Sequence, residues 1–142
     1  MIFKCKVDQL QEVISYIKNI SKYKNNLFPI LLLKGELGAG KTTFTSFFVN
    51  SFPIKNEVNV NSPTFTLVNE YELRDVTIYH FDLYRIKSKS ELFELGFDEI
   101  WGKKGISIVE WWERAKEFFD DSAIQIEFNH IDEEHREIKV LN

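Results

Sequence analysis

Two hydrophobic periods alternate along the chain. Between residues 9 and 21, Leu10, Val13, Ile14, Ile17 and Ile20 recur at the spacing of one helix face. That stretch is predicted as an amphipathic helix, with Asp8 as its N-cap and Gln11 three residues on. Residues 2–6 read as a short strand before it, and the polar residues 22–26 as a loop after it. Residues 29–34 are an apolar run ending at Gly35, the pattern of a strand covered on both faces. From Lys41 to Ser51 the period becomes helical again, and Phe44, Phe47, Phe48 and Phe52 fall on one stripe.

Further on, Asn61-Ser62-Pro63-Thr64 has turn chemistry, because Pro63 drives Ser62 out of the helical region. Residues 65–73 and 76–84 are rich in β-branched and aromatic side chains and are parted by Arg74-Asp75, which predicts a hairpin and a mixed sheet. Ser88 and Glu91 form a capping box for a helix through Leu92 and Leu95 toward Ile100. Residues 105–111 read as a second buried strand and 112–119 as a short helix. Ile124, Ile126 and Phe128, then Ile138 and Val140, alternate with polar residues and predict a closing hairpin. The fold class is α/β.

Composition narrows the roles. A length of 142 residues predicts one domain, 1–142. With 18 Lys+Arg against 22 Asp+Glu the net charge is −4, which argues against polyanion binding as the main task. Lys87, Lys89, Lys103 and Lys104 read as a solvated face. The single cysteine, Cys5, has no partner for an internal disulfide, which fits a reducing compartment, and it reads as a small apolar residue on a strand. No apolar run approaches the roughly 20 residues of a spanning helix, and the N-terminus lacks a signal-peptide core. A cytoplasmic protein without membrane contact is expected. The aromatic content of 15% should mostly pack the core.

The chemistry enters at Gly35-Glu36-Leu37-Gly38-Ala39-Gly40-Lys41-Thr42, which satisfies G-x-x-x-x-G-K-[ST]. Glycines let such a loop curl so that successive N–H groups face phosphate oxygens, and the helix starting near Lys41 adds its positive end. Lys41 reaches the β- and γ-phosphates, and the Thr42 hydroxyl enters a Mg²⁺ shell. An apolar strand runs into this loop and an amphipathic helix leaves it, the setting such a P-loop needs. Glu36, Leu37, Gly38, Ala39, Gly40, Lys41 and Thr42 are therefore nucleotide-binding candidates. Thr43 is a further one, a helix-surface threonine being its other reading.

A P-loop also needs an acid at the end of another strand to hold the hydrated metal or orient water. Glu110 follows the apolar Ile106-Ser107-Ile108-Val109, and its competing reading is a solvent-facing strand end. Asp82 lies in Tyr79-His80-Phe81-Asp82-Leu83-Tyr84, where His80, Asp82 and Tyr84 share a face opposite Phe81 and Leu83. A polar stripe on an apolar strand lines a site or an outer surface. Thr64, in the Ser62-Pro63-Thr64-Phe65 turn, is a candidate for sensing the γ-phosphate or water.

Several P-loop classes are excluded. The guanine signature Asn-Lys-x-Asp is absent, and no strand ends in Asp-x-x-Gly. The only arginines are Arg74, Arg85, Arg114 and Arg136, too few for a small-molecule kinase with an arginine-bearing lid. What remains is a minimal ATP-binding domain without an evident second-substrate pocket. A small kinase and a non-catalytic nucleotide-binding module stay open as alternatives.

The sequence resembles the bacterial TsaE (YjeE) ATPases of tRNA threonylcarbamoyladenosine biosynthesis. The resemblance rests on the P-loop through Thr43-Phe44, on Ser62-Pro63-Thr64-Phe65-Thr66-Leu67-Val68, on Tyr79-His80-Phe81-Asp82-Leu83-Tyr84-Arg85, on Glu91-Leu92 with Leu95-Gly96, and on Glu110-Trp111. These blocks cover roughly residues 8–115. The family pattern often has proline after Glu-Trp, where this chain has Trp112.

The resemblance implies a P-loop NTPase-like three-layer sandwich with a mixed parallel and antiparallel sheet. It implies ATP and Mg²⁺ as ligands, with residues 36–42 and Lys41 on the phosphates and Thr42 and Glu110 on the metal. Asp82 would assist hydrolysis, Thr64 would belong to a loop near the γ-phosphate, and Trp111 would lie beside the site. The implied partners are TsaD and TsaB, which install threonylcarbamoyl on adenosine 3′ to the anticodon, with tRNA met only indirectly or weakly. ATP hydrolysis, slow in isolation, would support turnover of the partner complex without transferring the group. Arg85 is the one arginine-finger candidate within the chain.

Overall fold

Leu31, Leu32 and Leu33 fix the layering. In the computed structural model, which describes residues 1–21 and 27–142, all three are buried, with Leu31 and Leu33 on one face of a strand and Leu32 on the other. Burying each contributes about 1.5–3 kcal/mol. The stretch 22–26, read as a loop, lies outside the described residues.

The elements in order are β1 (Ile2–Lys6), α1 (Gln11–Ile20), β2 (Ile30–Lys34), α2 (Lys41–Asn50), β3 (Val68–Glu72), β4 (Thr77–Asp82), α3 (Lys89–Leu95), β5 (Ile106–Glu110), β6 (Ile124–His130) and β7 (His135–Leu141). Short 3₁₀ segments occupy Phe97–Glu99 and Trp112–Phe118. The strands form one sheet in the order β1-β7-β6-β2-β5-β4-β3. β6, β2, β5 and β4 are mutually parallel, while β3, β7 and β1 are added by antiparallel pairing. Both predicted hairpins and the mixed sheet are present.

Helices α1 and α2 cover one face. Val13, Ile14 and Ile17 of α1 pack with Phe44 and Phe48 of α2 on Leu31, Leu33, Ile108 and Ile126. Phe44 meets Phe128 edge-on at 5.5 Å between ring centroids. On the other face Leu92, Phe97, Trp101, Trp112 and Ala115 cover Leu32, Phe81 and Val109. The result is the expected three-layer sandwich.

Local differences from the sequence reading have physical causes. Leu10, not Asp8, occupies the N-cap position of α1, and no side chain caps it. Leu10 is fully buried, and that burial outweighs a cap interaction of about 1 kcal/mol. Residues 65–67, read as the start of a strand, form a turn in which Leu67 N–H donates to Pro63 O at 2.8 Å and Leu67 takes a φ of 69°. Ser88 does cap α3, its Oγ accepting the Glu91 N–H at 3.4 Å. That helix stops at Gly96 instead of reaching Ile100. The segment after β5 winds as 3₁₀ with a kink at Ala115, which lets Trp112 and Ala115 both turn inward.

Gly105, just before β5, sits against β4. A Cβ there would overlap the Thr77 carbonyl oxygen and lie 3.0 Å from the Tyr79 ring.

Candidate functional site

Parallel strands point their carboxyl ends the same way, so β2, β5 and β4 deliver their last residues to one edge. Leu33 pairs with Glu110, and Glu110 with Asp82. The loop after β2 curls over this edge. Gly38 and Gly40 adopt φ values of 81° and 105°, which L side chains resist, and Gly40 leads directly into α2. Within the curl, Ala39 N–H donates to Glu36 O at 3.0 Å.

Lys41 turns back over the loop, donating to Gly35 O at 2.7 Å, and its Nζ lies 3.7 Å from Glu110 Oε1. The other carboxylate oxygen of Glu110 is 2.6 Å from His80 Nε2. With Glu110 ionised, that nitrogen carries the proton and donates it. His80 Nδ1 is buried without a protein partner among the described residues. Both side chains are buried, so the solvent-facing reading of Glu110 and the outer-surface reading of His80 do not hold.

Asp82 is held from two sides. Tyr84 N–H donates to Oδ1 at 2.9 Å, and Thr64 Oγ1 donates to Oδ2 at 3.2 Å. Ser62 Oγ lies 2.8 Å from Thr64 Oγ1, which ties the Ser-Pro-Thr turn to the end of β4. Gly38, Gly40, Lys41, Thr42, Thr43, Thr64, Asp82, Glu110 and Trp111 all line one cavity of about 290 Å³. A second hollow of about 740 Å³ adjoins it, sharing Leu37, Lys41 and Trp111 and bounded by Glu36, Glu113, Phe128 and His130.

The rim is apolar. Leu37 is 99% exposed and Phe65 83%, and Trp111 and Tyr84 stand beside them with ring centroids 4.8 Å apart. Trp111 holds a φ of 56° immediately after Glu110. A bulky residue in the left-handed region is strained, and such strain gathers where geometry serves a site. Arg85 lies over the Phe65 ring at 5.5 Å and borders a neighbouring depression with Lys87 and Arg114. Among the described residues no arginine lines the 290 Å³ cavity. Lys87, Lys89, Lys103 and Lys104 are exposed, as read.

The donors suit Mg²⁺ with a polyphosphate. They are hydroxyl and carboxylate oxygens, and Mg²⁺ is typically held by one or two carboxylates, substrate phosphates and waters. The described residues contain no trio of His, Cys, Asp or Glu groups that could form an all-protein metal cage.

One residue escaped the sequence reading. Arg136 of β7 is buried and donates from Nε to Ala39 O at 3.1 Å and from Nη2 to Gly38 O at 3.2 Å. The signal was present: Arg136 stands in the inward phase of the alternation that buries Ile138 and Val140.

Comparison with known proteins agrees with this architecture. The family described as "Threonylcarbamoyl adenosine biosynthesis protein TsaE" matches residues 6–138. The chain is similar to the tRNA threonylcarbamoyladenosine biosynthesis protein TsaE of Rickettsia typhi, 41% identical over 122 residues that cover 84% of this chain and 83% of that one. For the Rickettsia felis protein of the same name the figures are 40% over 112 residues, 79% of this chain and 64% of the relative. For that of Bacillus subtilis they are 40% over 109 residues, 77% and 66%. The matched stretch thus spans just under two thirds of those last two relatives. Among solved structures, the crystal structure of Bacillus subtilis YdiB superposes with a TM-score of 0.64 at 26% identity, covering 99% of this chain and 86% of that one.

Proposed function

The chain belongs to the TsaE family of threonylcarbamoyl adenosine biosynthesis proteins, and from that premise we propose that it is a Mg²⁺-dependent ATPase acting with the TsaB–TsaD complex in the modification of tRNA. The observation that carries this reading is the convergence of Lys41 and Glu110, 3.7 Å apart, in one cavity with Thr42, Thr64 and Asp82.

In this reading the backbone of residues 36–42 and Lys41 hold the phosphates of ATP, Lys41 exchanging the Gly35 carbonyl for a phosphate oxygen. The Thr42 hydroxyl and Glu110 hold Mg²⁺, which when bound screens the charge that develops on the phosphates. His80 keeps one oxygen of Glu110 occupied and leaves the other facing Lys41. Asp82, fixed by Tyr84 and Thr64, orients the attacking water, and Thr64 couples that carboxylate to the exposed turn bearing Phe65. Lys41 supplies one positive charge, and among the described residues no arginine lines the cavity with it, so hydrolysis by the isolated chain is slow until a partner completes the site. The threonylcarbamoyl group is transferred by the partners, and tRNA is met through them, in the cytoplasm. Among the described residues no helix is long and apolar enough to cross a membrane.

ATP turnover measured alone and across a concentration series of TsaB–TsaD tests the proposal. Low turnover that rises with the complex is expected. A flat response sinks it. Labelled γ-phosphate arriving on an acceptor other than water would instead favour a kinase.

A further inference from the structure

Among the described residues, Arg136 is the only buried lysine or arginine. Its guanidinium donates to five carbonyl oxygens: Asp132, Glu133 and His135 in its own hairpin, and Gly38 and Ala39 in the phosphate loop. Among the described residues it makes no ion pair. Buried charges are ordinarily paired, because desolvation without a counter-charge is expensive. Five carbonyl dipoles offset part of that cost, and the net charge remains.

The peptide geometry shows what the contact does. The Ala39 carbonyl and the Gly40 N–H belong to one planar trans unit and point in opposite directions. Drawing the carbonyl toward Arg136 therefore turns the Gly40 N–H to the other side of the loop, and Gly40 borders the 290 Å³ cavity. The Gly38 carbonyl is fixed in the same way, and its peptide partner, the Ala39 N–H, is already bonded to Glu36 O. Arg136 thus sets the faces of two successive peptides from a strand 97 and 98 residues away in sequence.

We propose that Arg136 is a positioning residue for the phosphate loop: it holds the 38–40 backbone in its anion-binding orientation and adds an uncompensated positive charge behind it. The proposal rests on the loop being a phosphate cradle. It assigns to the C-terminal hairpin a part in nucleotide affinity.

The test compares the wild-type chain with Arg136→Met and Arg136→Lys. ADP affinity is measured by calorimetry at a temperature where each protein is folded, and melting is followed without nucleotide. Arg136→Met should bind ADP about tenfold more weakly or worse, since two charge-assisted hydrogen bonds to the loop are lost. Arg136→Lys restores charge without the planar fork and should fall between the two. Amide exchange across residues 36–41 should quicken in the nucleotide-free Met variant. A purely structural role predicts lower melting with unchanged ADP affinity and unchanged exchange in the loop, and that result overturns the proposal while leaving the proposed function standing. Should Arg136→Met not fold, Arg136→Lys decides: a several-fold loss supports the assignment and wild-type affinity refutes it. A wild-type chain that binds no ADP removes the phosphate reading and this proposal with it.

Discussion

His80 and Glu110 meet at 2.6 Å, Nε2 to Oε2, on adjacent strands, and both side chains are buried. The contact selects one rotamer for the carboxylate and aims its second oxygen at Lys41. Replacing His80 by leucine removes the donor and leaves Oε2 buried and unpaired. The expected loss is about 1–3 kcal/mol in a urea titration, together with slower ATP turnover. A variant as stable and as active as wild type would show that Glu110 needs no such support.

Asp82 and Glu110 should separate binding from hydrolysis. Asp82→Asn preserves shape and keeps an acceptor for Tyr84 N–H, so ADP affinity measured by calorimetry should change little. Phosphate release should fall roughly a hundredfold or more, the scale of losing a positioned acid–base group. Lys41→Ala should instead weaken ADP and ATP binding while the fold persists, since the hydrogen bond of the Lys41 side chain to Gly35 O lies within the loop itself. Equal turnover in Asp82→Asn and wild type would point to a nucleotide-binding module.

Phe44 ties the phosphate helix to the sheet. It is fully buried between Phe48 and Phe128. Phe44→Ala should lower stability by about 3–5 kcal/mol, read from the denaturation midpoint. An effect under about 1 kcal/mol would mean that α2 is not anchored there.

Acid should loosen the β6–β7 hairpin through Asp132. Its carboxylate accepts from the His135 side chain and from the His135 and Glu134 N–H groups, which holds its pKa below the ordinary 3.8. A depressed carboxylate contributes stability that is fully present above the unfolded value and is lost as pH falls through the folded one. Amide protection in residues 131–136 should therefore decline below about pH 3.8 in the wild type. Asp132→Asn should show weaker protection at neutral pH and little further acid response. The group is fully exposed, so the effect should shrink with added salt. Parallel acid profiles in the two proteins would remove Asp132 as the cause.

The parts of the fold that could be read in advance are those where one period dominates. The apolar run of β2, the stripe of α2 and the alternation of β6 each state their burial in the order of residues. The site was legible for the same reason: Glu110 ends an apolar strand, and His80 and Asp82 interrupt one. Where two local preferences compete, the sequence is ambiguous. Asp8 is a good cap residue, yet the core takes Leu10. Phe65, Thr66 and Leu67 have strand propensity, yet Pro63 and the tie between Thr64 and Asp82 make them a turn. Arg136 was overlooked because an arginine on a terminal strand ordinarily faces water, and its acceptors lie almost a hundred residues earlier in the chain.

An atom that is missing far from the chemistry governs its alignment. Any side chain at position 105 would press β5 away from β4 at their entrance, and the two strands are paired residue by residue from there to Glu110 and Asp82. The close approach at Gly105 thus bears on the alignment of the two acids from the opposite end of the strands, as the hinge of a pair of tongs bears on its tips. A screen for loss of turnover should accordingly find damaging changes at Gly105 that touch no ligand at all.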